Sequence, residues 1–251
     1  MHKIKSWVIG NWKMNGTAEA ARILAASVAK ASAGAPGHVA VVVCPPAIFI
    51  PAVCDALQHT NVQVGGQDCH AEDSGAFTGN IAAPMLAQAG CAYVITGHSE
   101  RRQFQHETSE EVAAKAFAAI RHGLVPVICV GETLKERESG KAMEVVGQQV
   151  LKSLPDGAKD DFILAYEPVW AIGSGLVPRP VDISQMHHHI RQVASARTGR
   201  KENEIQVLYG GSVKAANSRE ILVLDDVAGV LVGGASLNAA EFGGIIAAAA
   251  A

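Results

Sequence analysis

The stretch Phe162-Ile163-Leu164-Ala165-Tyr166-Glu167-Pro168 decides how the chain is read. Its first five residues are apolar or aromatic without a break, as in a parallel strand buried on both faces. A carboxylate then ends the run. The proline after it pushes Glu167 into extended geometry, at the last position of the strand. Comparable runs recur at Trp7–Gly10, Val39–Val43, Val62–Gly65, Ala92–Ile95, Val125–Val130, Gln206–Tyr209 and Gly229–Val232. That makes eight runs in 251 residues, about 31 residues for each strand-loop-helix unit.

Helix-favouring stretches rich in Ala, Glu, Lys and Gln lie between them, as at Thr17–Ala31, Ser109–His122 and Lys135–Leu154. A capping box needs Glu or Gln three residues after the N-cap, and Thr17 and Ser109 are followed there by Ala20 and Val112. Helix starts are therefore expected from periodicity and not from strong caps. The terminal Ala247–Ala251 run is expected to fray. No Pro/Ser-rich linker or charge block divides the sequence, which predicts one domain over residues 1–251. Eight alternating units predict an α/β fold, a single (β/α)8 barrel of eight parallel strands. An open doubly wound sheet is the rival, but Asn11-Trp12-Lys13 stands where its GxGxxG fingerprint would follow the first strand.

Composition removes several function classes. Lys plus Arg number 21 against 24 Asp plus Glu, a net charge of −3, which gives no electrostatic basis for nucleic-acid binding. Apolar runs fall short of a membrane helix, and Trp7-Val8-Ile9 is too short for a signal peptide. Aromatics make up 5%, few for stacking surfaces. Five scattered cysteines with no CxxC pair argue against a disulfide framework or structural zinc and for a reducing compartment.

In a barrel of this kind chemistry gathers at the C-terminal ends of the strands. The residues placed there are Asn11 and Lys13, His98 with Ser99 and Glu100, Glu167, Gly210-Gly211-Ser212, and Gly233-Gly234. A carboxylate at that rim can take a proton from carbon, and an imidazole can polarise a carbonyl. The lysine can hold an anion. Glycine turns after the last two strands let backbone N–H groups approach a phosphate, and Gly173-Ser174-Gly175 could close over the same group. Other signals are weaker. Consecutive residues His187-His188-His189 diverge by about 100° each on a helix, so they cannot share one metal. Gly140-Lys141 lacks the upstream glycine of a nucleotide loop, His98-Ser99-Glu100 lacks the CxxC of a zinc deaminase, and no GxSxG elbow occurs.

These residues fall in stretches that resemble the triosephosphate isomerase family over essentially the whole chain. The stretches are Gly10–Asn15, Gly75–Gly79, Gly97–Arg102, Cys129–Thr133, Ala165–Gly173, Tyr209–Val213 and Leu231–Leu237. The resemblance implies cofactor-free, metal-free interconversion of dihydroxyacetone phosphate and D-glyceraldehyde 3-phosphate through an enediolate. Glu167 would be the base and neutral His98 the electrophile. Lys13 and Asn11 would stabilise the enediolate and position substrate. Gly173, Ser212, Gly233 and Gly234 would grip the phosphate, with Glu100 and Tyr209 in support. Residues 168–178 would form a lid. It further implies a cytoplasmic homodimer through loop 69–79, Thr78 reaching the partner's Asn11 and Lys13 region.

Two positions depart from the family pattern. Pro178 stands where a backbone N–H would meet the tyrosine that matches Tyr209, and proline has no N–H. Asn80 stands where the interface loop usually carries Glu. Two other functions fit a rim of this composition. One is a barrel glycoside hydrolase with Glu100 and Glu167 paired, which the scarce aromatics and glycine turns disfavour. The other is a phosphosugar-binding protein without turnover, which the presence of Lys13, His98 and Glu167 disfavours.

Overall fold

In the computed structural model, which describes residues 6–156, 162–173 and 176–251, the unbroken apolar runs are explained by burial on both faces. On the sixth strand Ile163 and Ala165 join an inner cluster with Ile9, Val42, Ile95, Cys129, Leu208 and Leu231. Their neighbours Leu164 and Tyr166 pack outward with Val41, Val43, Ile128 and Val207 against the helices. Alternate residues of one strand thus serve two cores, and a polar residue in either set would cost several kcal/mol.

The strands are β1 (Ser6–Asn11), β2 (Val39–Cys44), β3 (Val62–Gly66), β4 (Tyr93–Thr96), β5 (Val125–Val130), β6 (Ile163–Tyr166), β7 (Gln206–Tyr209) and β8 (Gly229–Val232). All pair in parallel and in sequence order, and the ring closes where Trp7–Gly10 meets Gly229–Val232. The expected closed (β/α)8 barrel is the observed fold, and the open sheet is excluded. The helices that cover it are α1 (Ala18–Ser32), α2 (Ile50–Ala56), α3 (Ala83–Gln88), α4 (Ser99–Phe104), α5 (Ser109–Arg121), α6 (Leu134–Glu138), α7 (Ala142–Ser153), α8 (Pro180–Thr198), α9 (Ala215–Leu222) and α10 (Ala239–Ala250).

Three expectations about helices are corrected. The α5 N-cap is Thr108 and not Ser109, and Thr108 does have a capping box: its hydroxyl accepts from Glu111 N, and Glu111 Oε2 accepts from Thr108 N at 2.7 Å. A second box joins Thr133 to Glu136. The stretch Lys135–Leu154 is two helices, because Gly140 takes a left-handed φ of 74° between α6 and α7. The Ala247–Ala251 run stays helical to Ala250, with Ala249 and Ala250 packed on the core.

His187 and His189 on α8 reach different neighbours, the Asp226 and Met143 carbonyls. His187 is fully buried, edge-on to Tyr166 with ring centroids 5.8 Å apart. Burial pushes its pKa down to about 3. As pH falls below about 6.5, the unfolded chain binds a proton at this residue that the folded chain does not. Stability is therefore lost on acidification, by up to about 1.4 kcal/mol per pH unit until pH nears 3. In urea unfolding, His187→Gln should remove about 2 kcal/mol of the stability difference between about pH 6.5 and pH 5. An unchanged pH slope in the variant would rule this out.

Candidate active site

Closure in sequence order brings the ends of all eight strands to one rim, and polar residues there face a shared cavity of about 660 Å³. Asn11, Lys13, His98 and Glu167 line it, with Gly173, Gly210, Gly211, Ser212, Gly233 and Gly234. Expected rim residues that were far apart in sequence are thus brought together. Tyr209 is not on the wall. It is fully buried behind Gly211, with its hydroxyl unpartnered among the described residues. Glu100 lines an adjoining cavity of about 500 Å³ with Met14, Asn80 and Phe104. Ser174 and Gly175, expected to belong to the lid and phosphate turn, lie outside the described residues.

Glu167 is 2% exposed. Its Oε1 lies 2.9 Å from His98 Nε2, and its Oε2 accepts from Ser99 N at 2.8 Å. Two glycines make room for it. A Cβ on Gly131 would lie 1.7 Å from the Glu167 carbonyl oxygen, and one on Gly210 would lie 2.9 Å from its Cγ. His98 is the N-cap of α4, and its Nδ1 accepts from Glu100 N at 3.2 Å. That bond occupies the Nδ1 lone pair and leaves the ring proton on Nε2, facing Glu167.

Lys13 follows β1 in a left-handed conformation, φ 51°, which costs roughly 1–3 kcal/mol for a non-glycine residue. Its N–H donates to Asn11 Oδ1 at 3.0 Å, and its carbonyl accepts from Gln67 Nε2 at 2.8 Å. Gln67 Nε2 also donates to the Cys44 carbonyl at 2.9 Å, tying the Lys13 backbone to the end of β2. The Lys13 ammonium meets Glu100 Oε1 at 2.6 Å. Gln67 was not singled out in the sequence. It is the first polar residue after the β3 run, so the rule that found Asn11 and His98 reaches it too.

A profile of the triosephosphate isomerase family matches residues 6–249. The chain is 51% identical to a triosephosphate isomerase of Afipia carboxidovorans over 241 residues, 96% of each chain. It is also 51% identical to one of Ruegeria sp. over 243 residues, 96% of this chain and 97% of that one. The chain belongs to the triosephosphate isomerase family. A crystal structure of triosephosphate isomerase from Bartonella henselae is similar with a TM-score of 0.89 at 43% identity, covering 98% of this chain and 99% of that one. As a member of the triosephosphate isomerase family, the chain is an isomerase acting on the two triose phosphates.

Electrostatics set the resting state of this cluster. Burial alone would raise the Glu167 pKa, but the His98 imidazole and the Ser99 N–H outweigh it and hold the carboxyl below its ordinary range. At His98 burial opposes the charged ring, and the Glu167 carboxylate outweighs that opposition and raises the pKa. The N–H donated to Nδ1 acts against a second ring proton, because that proton would break the bond. Gln67→Ala should release the Lys13 backbone and lower kcat/KM about tenfold, with little change in Tm. Steady-state assays beside thermal melts would measure this. Unchanged activity would show that Lys13 needs no such anchor. The magnitude follows from losing the bond to the Lys13 carbonyl, one of the two that Gln67 makes, at about 1–1.5 kcal/mol.

Proposed function

We propose that this chain, as one domain over residues 1–251, interconverts dihydroxyacetone phosphate and D-glyceraldehyde 3-phosphate by proton transfer. Glu167 is the base and His98 the electrophile, with Asn11 and Lys13 beside them. The observation that carries the reading is the Glu167–His98–Ser99 hydrogen-bond set at one end of a cavity whose other end is made by glycine turns.

Substrate enters with its phosphate toward Gly173, Ser212, Gly233 and Gly234. Its carbonyl oxygen takes over the His98 Nε2–H, and Glu167 loses that partner. Burial, no longer offset by the imidazole, then makes the carboxylate a stronger base at the moment it is needed. Glu167 removes a proton from the carbon bearing the hydroxyl. The electron pair moves into the new carbon–carbon double bond, and the carbonyl oxygen becomes an enediolate oxygen. The Lys13 ammonium and the His98 N–H stabilise that charge in a site shielded from water. His98 passes a proton between the two oxygens. Glu167 then returns its proton to the neighbouring carbon, so atoms and charge balance with no redox partner. No metal or cofactor enters these steps.

The hydrolase reading is disfavoured by the tie between the Glu100 carboxylate and Lys13 and by its place in the adjoining cavity. Wild-type protein should interconvert the two triose phosphates, and Glu167→Gln should lower kcat by about 10²–10⁴-fold. No turnover by the wild type would remove the function. Full activity in the variant would remove Glu167 as base.

The same reading makes the molecule a homodimer through loop 69–79. Met14 is 95% exposed, and Ile48, Phe77, Met85 and Phe104 are exposed too. The adjoining cavity that Met14 and Phe104 line would receive the loop of the second copy, with Thr78 beside Asn11 and Lys13. The loop is already shaped: His70 stacks on Phe77 at 4.0 Å, and Asp73 accepts from Arg121 and His122. Met14→Arg should shift sedimentation toward monomer and lower activity at low protein concentration. A variant that sediments like wild type would argue against this face. Five unpaired cysteines support a cytoplasmic setting, and the net charge of −3 disfavours a nucleic-acid partner. No helix among the described residues is long and apolar enough to cross a membrane.

A further inference from the structure

The charges around the cavity do not favour an anion. Among the described residues on its wall the cations are Lys13 and Lys214, and the carboxylates are Glu167 and Glu241. The Lys13 ammonium is paired with Glu100 at 2.6 Å, which offsets its charge as seen from solvent. Glu167 is deep and bonded to His98, whereas Glu241 is exposed and reaches Ala215 N at 3.2 Å. The whole chain carries −3. A phosphorylated triose is a dianion at neutral pH, so it must approach a negatively charged protein through a mouth that includes a carboxylate.

Lys214 is the counterweight. It is exposed and makes no ion pair among the described residues. Its backbone is held close to the expected phosphate end: its N–H donates to Asn217 Oδ1 at 2.8 Å, and Asn217 Nδ2 donates to the Ser212 carbonyl at 3.2 Å. One side chain therefore fixes both Ser212 and the base of the lysine. The backbone is anchored, and the ammonium has no ion-pair partner among the described residues.

We infer that Lys214 is a recruiting residue, the unneutralised cation that draws the phosphate of the incoming triose to the glycine turns. It acts on the encounter and not on the bond-making steps. This inference rests on the glycine turns being the phosphate end of the cavity. Triosephosphate isomerase is among the enzymes whose kcat/KM reaches the diffusional ceiling. At that ceiling kcat/KM reports encounter, and a charge at the mouth changes it in a salt-dependent way.

The test compares wild type with Lys214→Gln, Lys214→Glu and Lys214→Arg. Initial rates with D-glyceraldehyde 3-phosphate are taken at about 0.01 M and about 0.5 M ionic strength, where the screening length falls from about 30 Å to a few ångströms. At low salt Lys214→Gln should lose about three- to tenfold in kcat/KM, Lys214→Glu should lose more, and Lys214→Arg should match wild type. The differences should close at high salt, with kcat and Tm unchanged. Unphosphorylated D-glyceraldehyde should be turned over equally by all four proteins. A loss that persists at high salt, or that falls in kcat, would overturn recruitment in favour of a contact kept in the bound complex. No loss at low salt would overturn it outright. Inorganic phosphate as a competitive inhibitor of the wild type separates the two readings. If it inhibits and the variants match wild type, only the role of Lys214 fails. If it does not inhibit, the phosphate end itself is misplaced and the inference falls with it.

Discussion

Closure of the sheet is the constraint on which everything else rests. When β1 pairs with β8, no strand edge remains, and every parallel strand must end on the same side. That geometry makes Asn11, His98 and Glu167, separated by up to 156 residues in sequence, neighbours around one cavity. It also fixes the composition of the strands. An inner cluster and an outer cluster share alternate residues, so polarity is confined to strand ends apart from Gln63 on β3. The residues of the candidate site stand where the two-sided burial stops.

The site has two halves with different physical characters. Around Glu167 the theme is removal of space: Gly131 and Gly210 let neighbouring strands approach its backbone and its Cγ so closely that no Cβ would fit. The buried carboxylate is held by two donors, the His98 ring and the Ser99 N–H. Around Lys13 the theme is stored strain. A left-handed backbone is held at its N–H by Asn11 and at its carbonyl by Gln67, and the ammonium is held against Glu100. The phosphate end is different again. It is built from backbone and small residues, with Lys214 and Glu241 as the charged groups on the same wall.

Much of this was legible along the chain. The eight apolar runs fall on the eight observed strands to within a residue at each end, because burial on both faces leaves an uninterrupted hydrophobic signal. Boundaries of helices were less legible. The capping box at Thr108 lies one position before the start expected at Ser109, and Gly140 interrupts a stretch that reads as one helix, since one glycine in a favourable stretch is a weak signal. Gln67 was passed over because a glutamine after a strand has no chemistry of its own, and its value comes from the carbonyls it holds. Tyr209, expected in support of the site, stands behind Gly211 and off the wall.

The sequence by itself determined the number of units, their parallel order, and the residues that end each strand, because these follow from local hydrophobicity and chain direction. Only the tertiary structure decided which of those ends touch. The pairing of Glu167 with His98 and of Lys13 with Glu100, and a Tyr209 hydroxyl with no partner among the described residues, depend on distances set by how eight strands close. Hydrogen bonds and ion pairs act over a few ångströms, and no pattern along a chain specifies a separation that small between residues far apart in sequence.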